Sequence, residues 1–244
     1  MKWTLILIVL VSLLSCSDIE KKKDTHITTV TYIEDAPKLD GRPIENFWNT
    51  LEWYPIDQNW IGGPFEHTDF NGKYRIAWKE EGLYLLLEIV DDSIYKQAKD
   101  PLKLWWNDDS VLVYVDQDNS GGLHRFNSNA FTYHVALDGN VVDLAEDKEA
   151  HFFNDHIISA HKTEGNTTYW ELLVKVYPDT YTTSSNVEPA VLKKGDKIGF
   201  ALAYGDNDQS EKRENLIGSV FIPGEDKNQG WINANSFGTL ILDK

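Results

Sequence analysis

LWWNDDSVLVYVDQDNSGG, Leu104 to Gly122, is the stretch on which the reading of the fold turns. Its centre is a strand. From Ser110 to Asp116 the residues alternate, placing Val111, Val113 and Val115 on one face and Leu112, Tyr114 and Asp116 on the other. A turn rich in Asp, Asn and Gly follows, and two tryptophans precede. Adjacent residues of an extended chain point to opposite sides. Counting back in twos from Val111 therefore puts Trp105 on the packed valine side and Trp106 opposite, facing a ligand.

The same short, β-branched and aromatic segments recur outward from this strand. Tyr74 to Asp92 reads as two strands joined at Glu80-Glu81-Gly82. Phe131 to Leu144 is the strongest hairpin, turning at Asp138-Gly139-Asn140. Trp170, Leu172, Val174 and Val176 align on one face of a further strand, and Lys197–Tyr204, Ile217–Ile222 and Phe237–Leu242 complete the series. About ten strands without intervening helices predict an all-β fold, an immunoglobulin-like or jelly-roll-type antiparallel β-sandwich. Thr180 to Lys194 is polar and reads as a loop with a short helical turn. No repeat and no second-domain linker interrupts the pattern.

The 244 residues suffice for one large β domain or two small ones. The N-terminus, MKWTLILIVLVSLLSC, has a positive Lys2 and an apolar run, Leu5 to Leu14, too short to span a bilayer. Leu13-Leu14-Ser15-Cys16 resembles a bacterial lipobox, so residues 1–16 are read as a lipoprotein signal peptide with Cys16 the lipidation site. A lone thiol in an exported protein is otherwise hard to place. Residues 17–29 read as a polar tether and 30–244 as the domain. The expectation is an exported protein, lipid-anchored to a bacterial membrane, the outer membrane foremost, with the face left open. A formal charge of −16 and no basic stripe argue against nucleic acid. The acids serve solubility or offer oxygen ligands to calcium.

Trp48, Trp53, Trp78 and Trp170 fall in or beside strand-like segments and are expected in the core. Trp60, Trp105, Trp106 and Trp231 fall among polar residues at loop or strand-edge positions. An exposed indole with a polar rim, as in LWWNDD and NQGWINAN, can stack on the C–H face of a sugar while neighbours bind its hydroxyls, although ordinary packing accounts for such residues as well. DQDNSGG offers Asp116, Asp118 and Ser120 in the spacing of the front half of a calcium loop, but Asn127 stands near where the closing Glu belongs. A plain turn explains it equally. Arg213 follows a second acidic cluster, Asp206, Asn207 and Asp208, and can fork onto a carboxylate or sugar hydroxyls. No nucleophile elbow, zinc helix or phosphate loop is present, and no spacing selects an acid pair for glycoside hydrolysis. His151, His156 and His161, five apart, are read as surface or strand residues rather than ligands.

LWWNDDSVLVYVDQD resembles the W-x-x-D-S-V-E-V-F-I-D signature of the family 9 carbohydrate-binding domains. APKLDGRPIENFWNTLEW, KYRIAWKEEGLYLLLEIVDDSI, AYGDNDQSEKRENLIGS and FGTLIL resemble its other segments, in order, over Ile33 to Asp243. The resemblance implies a sandwich related to the DOMON group, sugar binding by tryptophan stacking, and structural calcium in some members. Carried over by position, Trp106 stacks on the sugar, Arg125 and Asn127 donate hydrogen bonds, and Trp231 is an opposing plate. Leu112 stands where the family usually has Glu, removing one hydroxyl-binding carboxylate. The expected function is non-catalytic capture of oligo- or polysaccharide by a membrane-anchored lipoprotein, alongside polysaccharide-degrading enzymes. The alternatives are a structural surface protein without a small ligand, a glycoside hydrolase, or a haem-binding electron-transfer domain. For haem the sole Met lies in the signal and cannot serve as an axial ligand, so no haem is expected.

Overall fold

A computed structural model describes residues 26–244. The signal peptide, Cys16 and most of the tether lie outside these residues. Among the described residues there are fourteen strands, three short 3-10 turns and no α-helix. The first sheet runs β10 (Ile157–Glu164), β11 (Thr167–Val174), β5 (Gly82–Asp91), β4 (Phe70–Lys79), with β2 (Tyr54–Ile56) also on β4. The second runs β14 (Gly238–Asp243), β12 (Lys197–Asp206), β6 (Ser110–Asp116), β7 (Phe131–Ala136), β8 (Val141–Leu144), β9 (Ala150–Phe152). β13 (Asn215–Gly218) pairs with the second half of β12 and carries β3 (Gln58–Ile61).

One strand departs from the antiparallel expectation. β1 (Ile27–Tyr32) pairs in parallel with β14 along Ile27–Thr31 and with β4 at Thr31 and Tyr32. It joins the two sheets and covers an edge of each, leaving fewer free N–H and C=O groups. Ile27 to Thr29, assigned by sequence to the tether, therefore belong to the domain.

The sheets face each other across one apolar core. Leu83, Leu85, Leu87 and Ile89 of β5 enter it from one side, and Val111, Val113 and Val115 of β6 from the other. Trp170 is fully buried there, and truncating such a ring to Ala costs about 3–5 kcal/mol. Trp48, Trp78 and Trp170 are buried as the sequence suggests, but two tryptophans change places. Trp60 lies on β3, buried, with Nε1 donating to the Val220 carbonyl at 2.9 Å. Its ring rests on Gly218, where a Cβ would come within 2.1 Å, so the glycine makes room for it. Trp53 is instead half-buried, under the Arg75 guanidinium at 4.2 Å and Lys73 Nζ at 4.7 Å from its ring centre. His156 is also a correction: it is fully buried, stacked 3.7 Å from Tyr177, with Nδ1 2.7 Å from the Tyr133 hydroxyl. Residues 180–194 contain turns but no helical element.

The outer faces are covered differently. Across the first sheet lies the segment around Leu39 and Trp48, which packs on Tyr84 and Leu86. Buried Glu171 of β11 anchors it: Oε2 accepts the backbone N–H of Asp40, Gly41 and Arg42 at 3.1, 2.9 and 3.2 Å. Gly41 (φ 73°) lies so close to His161 that a Cβ would meet its carbonyl carbon at 2.5 Å. On the second sheet, Trp60, Ala201, Ala203 and Phe237 cover part of the outer face, together with Leu112 and Tyr114 of β6. Toward β7 and β8 the cover stops, and a cleft remains.

Candidate functional site

The cleft is about 560 Å³, within the range that holds a small ligand. Its floor follows from strand register. Leu112 pairs with His134 and Tyr114 with Thr132, so these four side chains share one side of the β6–β7 ladder. Asp143 of β8 lines the wall, its two oxygens accepting the Thr132 and Leu144 amides, both at 2.7 Å. Burial pushes the Asp143 carboxyl up to about 7. The same effect holds His134 down to about 3, with Arg213 adding to the shift, so that imidazole is neutral at ordinary pH.

One end is built by NDD. Trp105 to Asn107 form a 3-10 turn entered through Leu104 at φ 56°. The chain is not extended there, so alternate-side counting does not apply, and both tryptophans line the cleft. Trp106 is 40% exposed, as expected of a stacking residue, and its ring stands edge-on to Trp105, 4.7 Å between centres. The three following side chains are fastened from behind. Asp108 accepts the Gln97 and Ala98 amides, Asp109 accepts those of Tyr95 and Asn207, and Asn107 Oδ1 accepts Arg213 N at 3.3 Å. One turn thus holds both the indoles and the segment that delivers Arg213.

The other end joins two loops. His124 N donates to Ile232 O at 2.9 Å, and His124 Nε2 lies 2.7 Å from Gly230 O. Trp231 lines the cleft there, with the exposed Arg125 guanidinium 4.2 Å from its ring centre. Trp106, Arg125 and Trp231, carried over by position, therefore come together with Arg213, read from its acidic segment. Asn127 does not: it is exposed, outside the cleft lining, and its Oδ1 accepts Asn129 N at 2.9 Å within its own loop. Sequence reasoning missed Trp105, Thr132, His134 and Asp143. The available signal was Thr132 and His134 alternating with Phe131, Tyr133 and Val135 in the hairpin.

Four enclosed polar atoms of the lining have no hydrogen-bond partner among the described residues: Trp105 Nε1, Thr132 Oγ1, His134 Nδ1 and Arg213 Nη1. Such groups are costly unless a ligand or solvent pairs with them. Two donors, a hydroxyl and an imidazole nitrogen between indole walls are what a polyhydroxylated ring can satisfy. No arrangement of nucleophile, base and orienting group is apparent.

The acids gather elsewhere. Asp116 Oδ2 accepts Gly121 N at 2.8 Å, and Asp118 Oδ1 accepts Ser120 N at 3.0 Å, so both shape their turn, and Ser120 supplies that amide. The tighter sets, with ligand atoms within 4.8 Å of one another, are Asp91, Asp109 and Asp206, all buried, and the more open Asp69, Asp92 and Asp208. No Lys or Arg forms an ion pair with the buried three among the described residues. Asp91 accepts Ser93 N and the Tyr204 hydroxyl, whereas Asp206 is faced by the carboxylates of Asp91, Asp69, Asp208 and Glu214. Burial foremost, then neighbouring carboxylates, pushes Asp206 up to about 8; burial likewise brings Asp109 to about 8.

The chain is 23% identical over 227 residues to an endo-1,4-beta-xylanase A of Thermotoga neapolitana and 24% over 212 to that of Thermotoga maritima, covering 92% and 86% of this chain. It spans only 18% and 17% of those relatives. A carbohydrate binding module family 9 from Caldicellulosiruptor kristjanssonii in complex with cellotriose superposes with a TM-score of 0.67 at 19% identity, over 89% of this chain and 93% of the other. The module in complex with glucose gives 0.65 at 18% identity, over 89% and 95%. A putative carbohydrate-binding protein of Bacteroides uniformis gives 0.60 at 13%, over 89% and 99%. These likenesses establish the sandwich. Residues 39–244 match the carbohydrate family 9 binding domain-like family, and the chain belongs to it.

Proposed function

We propose that this chain is a non-catalytic carbohydrate-binding protein and that the β6–β7–β8 cleft is its site. One observation carries the assignment: unpaired polar atoms of Trp105, Thr132 and Arg213 line a cleft whose ends are tryptophans. Trp106 and Trp231 offer aromatic faces to the sugar's C–H groups. Arg213 and the Trp105 indole donate to its oxygens, and Asp143 accepts from a hydroxyl when ionised. Arg125 holds the Trp231 plate. Family membership and the cellotriose- and glucose-bound neighbours support this reading. The test is titration of the full chain with a panel of plant and algal oligosaccharides, followed by tryptophan fluorescence and calorimetric heat. Saturable binding that Trp106→Ala removes without lowering the unfolding temperature is expected. A wild-type chain that binds no sugar with calcium present would return the assignment to a structural surface protein.

The second part of the proposal is structural calcium at Asp91, Asp109 and Asp206. Three buried carboxylates side by side without a basic partner either hold protons or hold a cation, and hard oxygen donors suit calcium. Chelation would then lower the unfolding temperature, and added calcium would restore it. The lipobox-like residues ending at Cys16 support anchoring of the chain to a bacterial outer membrane beside polysaccharide-degrading enzymes. Incorporation of labelled palmitate into the wild type and its loss in Cys16→Ala would test the anchor.

A further inference from the structure

Arg213 is the charge in the cleft that the protein leaves unanswered. Among the described residues its Nη1 has no hydrogen-bond partner, and that atom is sealed from solvent. Its backbone N–H is held by Asn107, and its side chain lies over Gly205, where a Cβ would meet its Cδ at 3.0 Å. The position is thus fixed. Among the described residues no carboxylate comes within 4.0 Å of it, although the chain carries 39 acids against 23 Lys and Arg. Leu112, on the floor of the same cleft, is apolar and offers it no charge. The lining holds Arg125, Lys148 and Arg213 against Asp143 and Glu149, a positive balance within a protein of formal charge −16. Burial also keeps His134 neutral and raises Asp143 to about 7, so near neutrality neither supplies a full compensating charge.

A neutral hydroxyl can accept from the guanidinium but leaves its charge uncompensated in an enclosed site. A carboxylate neutralises the charge and takes two parallel N–H donors in the fork geometry particular to arginine. Resting on the carbohydrate reading of this cleft, we propose that its ligand is an acidic oligosaccharide containing a hexuronic acid, with the uronate carboxylate seated on Arg213.

The experiment is calorimetric titration of the full chain with glucuronate- and galacturonate-containing disaccharides, each beside its neutral glucose or galactose counterpart and a 6-sulfated counterpart. The acidic sugar should bind about 10- to 100-fold more tightly than the neutral one, the span of a charge-assisted bidentate contact. The preference should shrink as salt is raised from about 0.05 to 0.5 M. Arg213→Gln should abolish the preference, and Arg213→Lys should keep part of it, with unchanged circular dichroism in both. Equal affinities, or tighter neutral sugars, would overturn the acidic ligand and leave carbohydrate binding standing. Tighter sulfated sugars would overturn the carboxylate assignment. Binding of none would remove both readings. The wild-type titrations decide between these outcomes even if an Arg213 variant fails to fold.

Discussion

The two outer faces of the sandwich solve the same problem in opposite ways. On the first sheet, a buried acid, Glu171, meets three backbone amides of the covering segment, and Trp48 fills the space beside it. On the second, Asp143 also holds amides, but the surrounding donors are left unpaired and tryptophans stand at the cleft's ends. Trp48 Nε1 and the second oxygen of Glu171 also lack a close hydrogen bond, but they lie beside each other under the covering segment, and that face is closed and contributes stability. On the second face the unpaired atoms line an open cleft and are prepared for something from outside. The contrast separates scaffold from site more sharply than aromatic content does, because both faces are rich in aromatic residues.

The contrast can be broken by experiment. Glu171→Ala should give the largest loss, about 3 kcal/mol of unfolding free energy, since three amides lose their acceptor. Denaturant titration would measure it, and sugar affinity should not change in the protein that remains folded. If binding falls instead, the faces are coupled. Trp106→Ala should do the reverse: about 2 kcal/mol lost from binding by calorimetry, and less than about 0.5 kcal/mol from stability. A pH series in chelator addresses the acids behind the cleft. With Asp109 and Asp206 at about 8 in the folded metal-free chain, the folded state holds more protons than the unfolded one between about pH 4 and 8. Its melting temperature should fall as pH rises through that window, and calcium should flatten the profile. A profile that rises with pH would contradict the packing of these carboxylates. Trp53→Ala should have the smallest effect, about 1 kcal/mol of stability, because its ring is only half-buried under Arg75 and Lys73, and no effect on sugar binding.

Much of this division was legible in the sequence where the chain is regular. Alternation placed Val111, Val113 and Val115 in the core, and the Asp138-Gly139-Asn140 turn set the β7–β8 hairpin, with Gly139 at φ 81°. The failures fall where the chain leaves the extended state. Trp105 was misplaced because a 3-10 turn rotates side chains by about 120° per residue rather than 180°. Trp60 was misread because its polar neighbours suggested an edge, whereas β13 pairs with β3 and Gly218 admits the ring. Asp206 could not be paired with Asp91 and Asp109 from spacing, since the strands that bring them together are distant in sequence. Cleft residues carried over from the family fared better where a strand or a tied turn fixes them. Asn127 lies outside the cleft lining because it sits in a loop and hydrogen-bonds locally.

The parallel pairing of β1 has a mechanical consequence. A pull applied to the chain before Ile27 runs along β1 and loads its ladders with β14 and β4 in shear. Several hydrogen bonds must then fail together, whereas a hairpin opened from its end gives way one rung at a time. A domain held from its N-terminal side while gripping a bulky polymer in the β6–β7–β8 cleft would transmit that load through a strand loaded in shear between the two sheets rather than peel open.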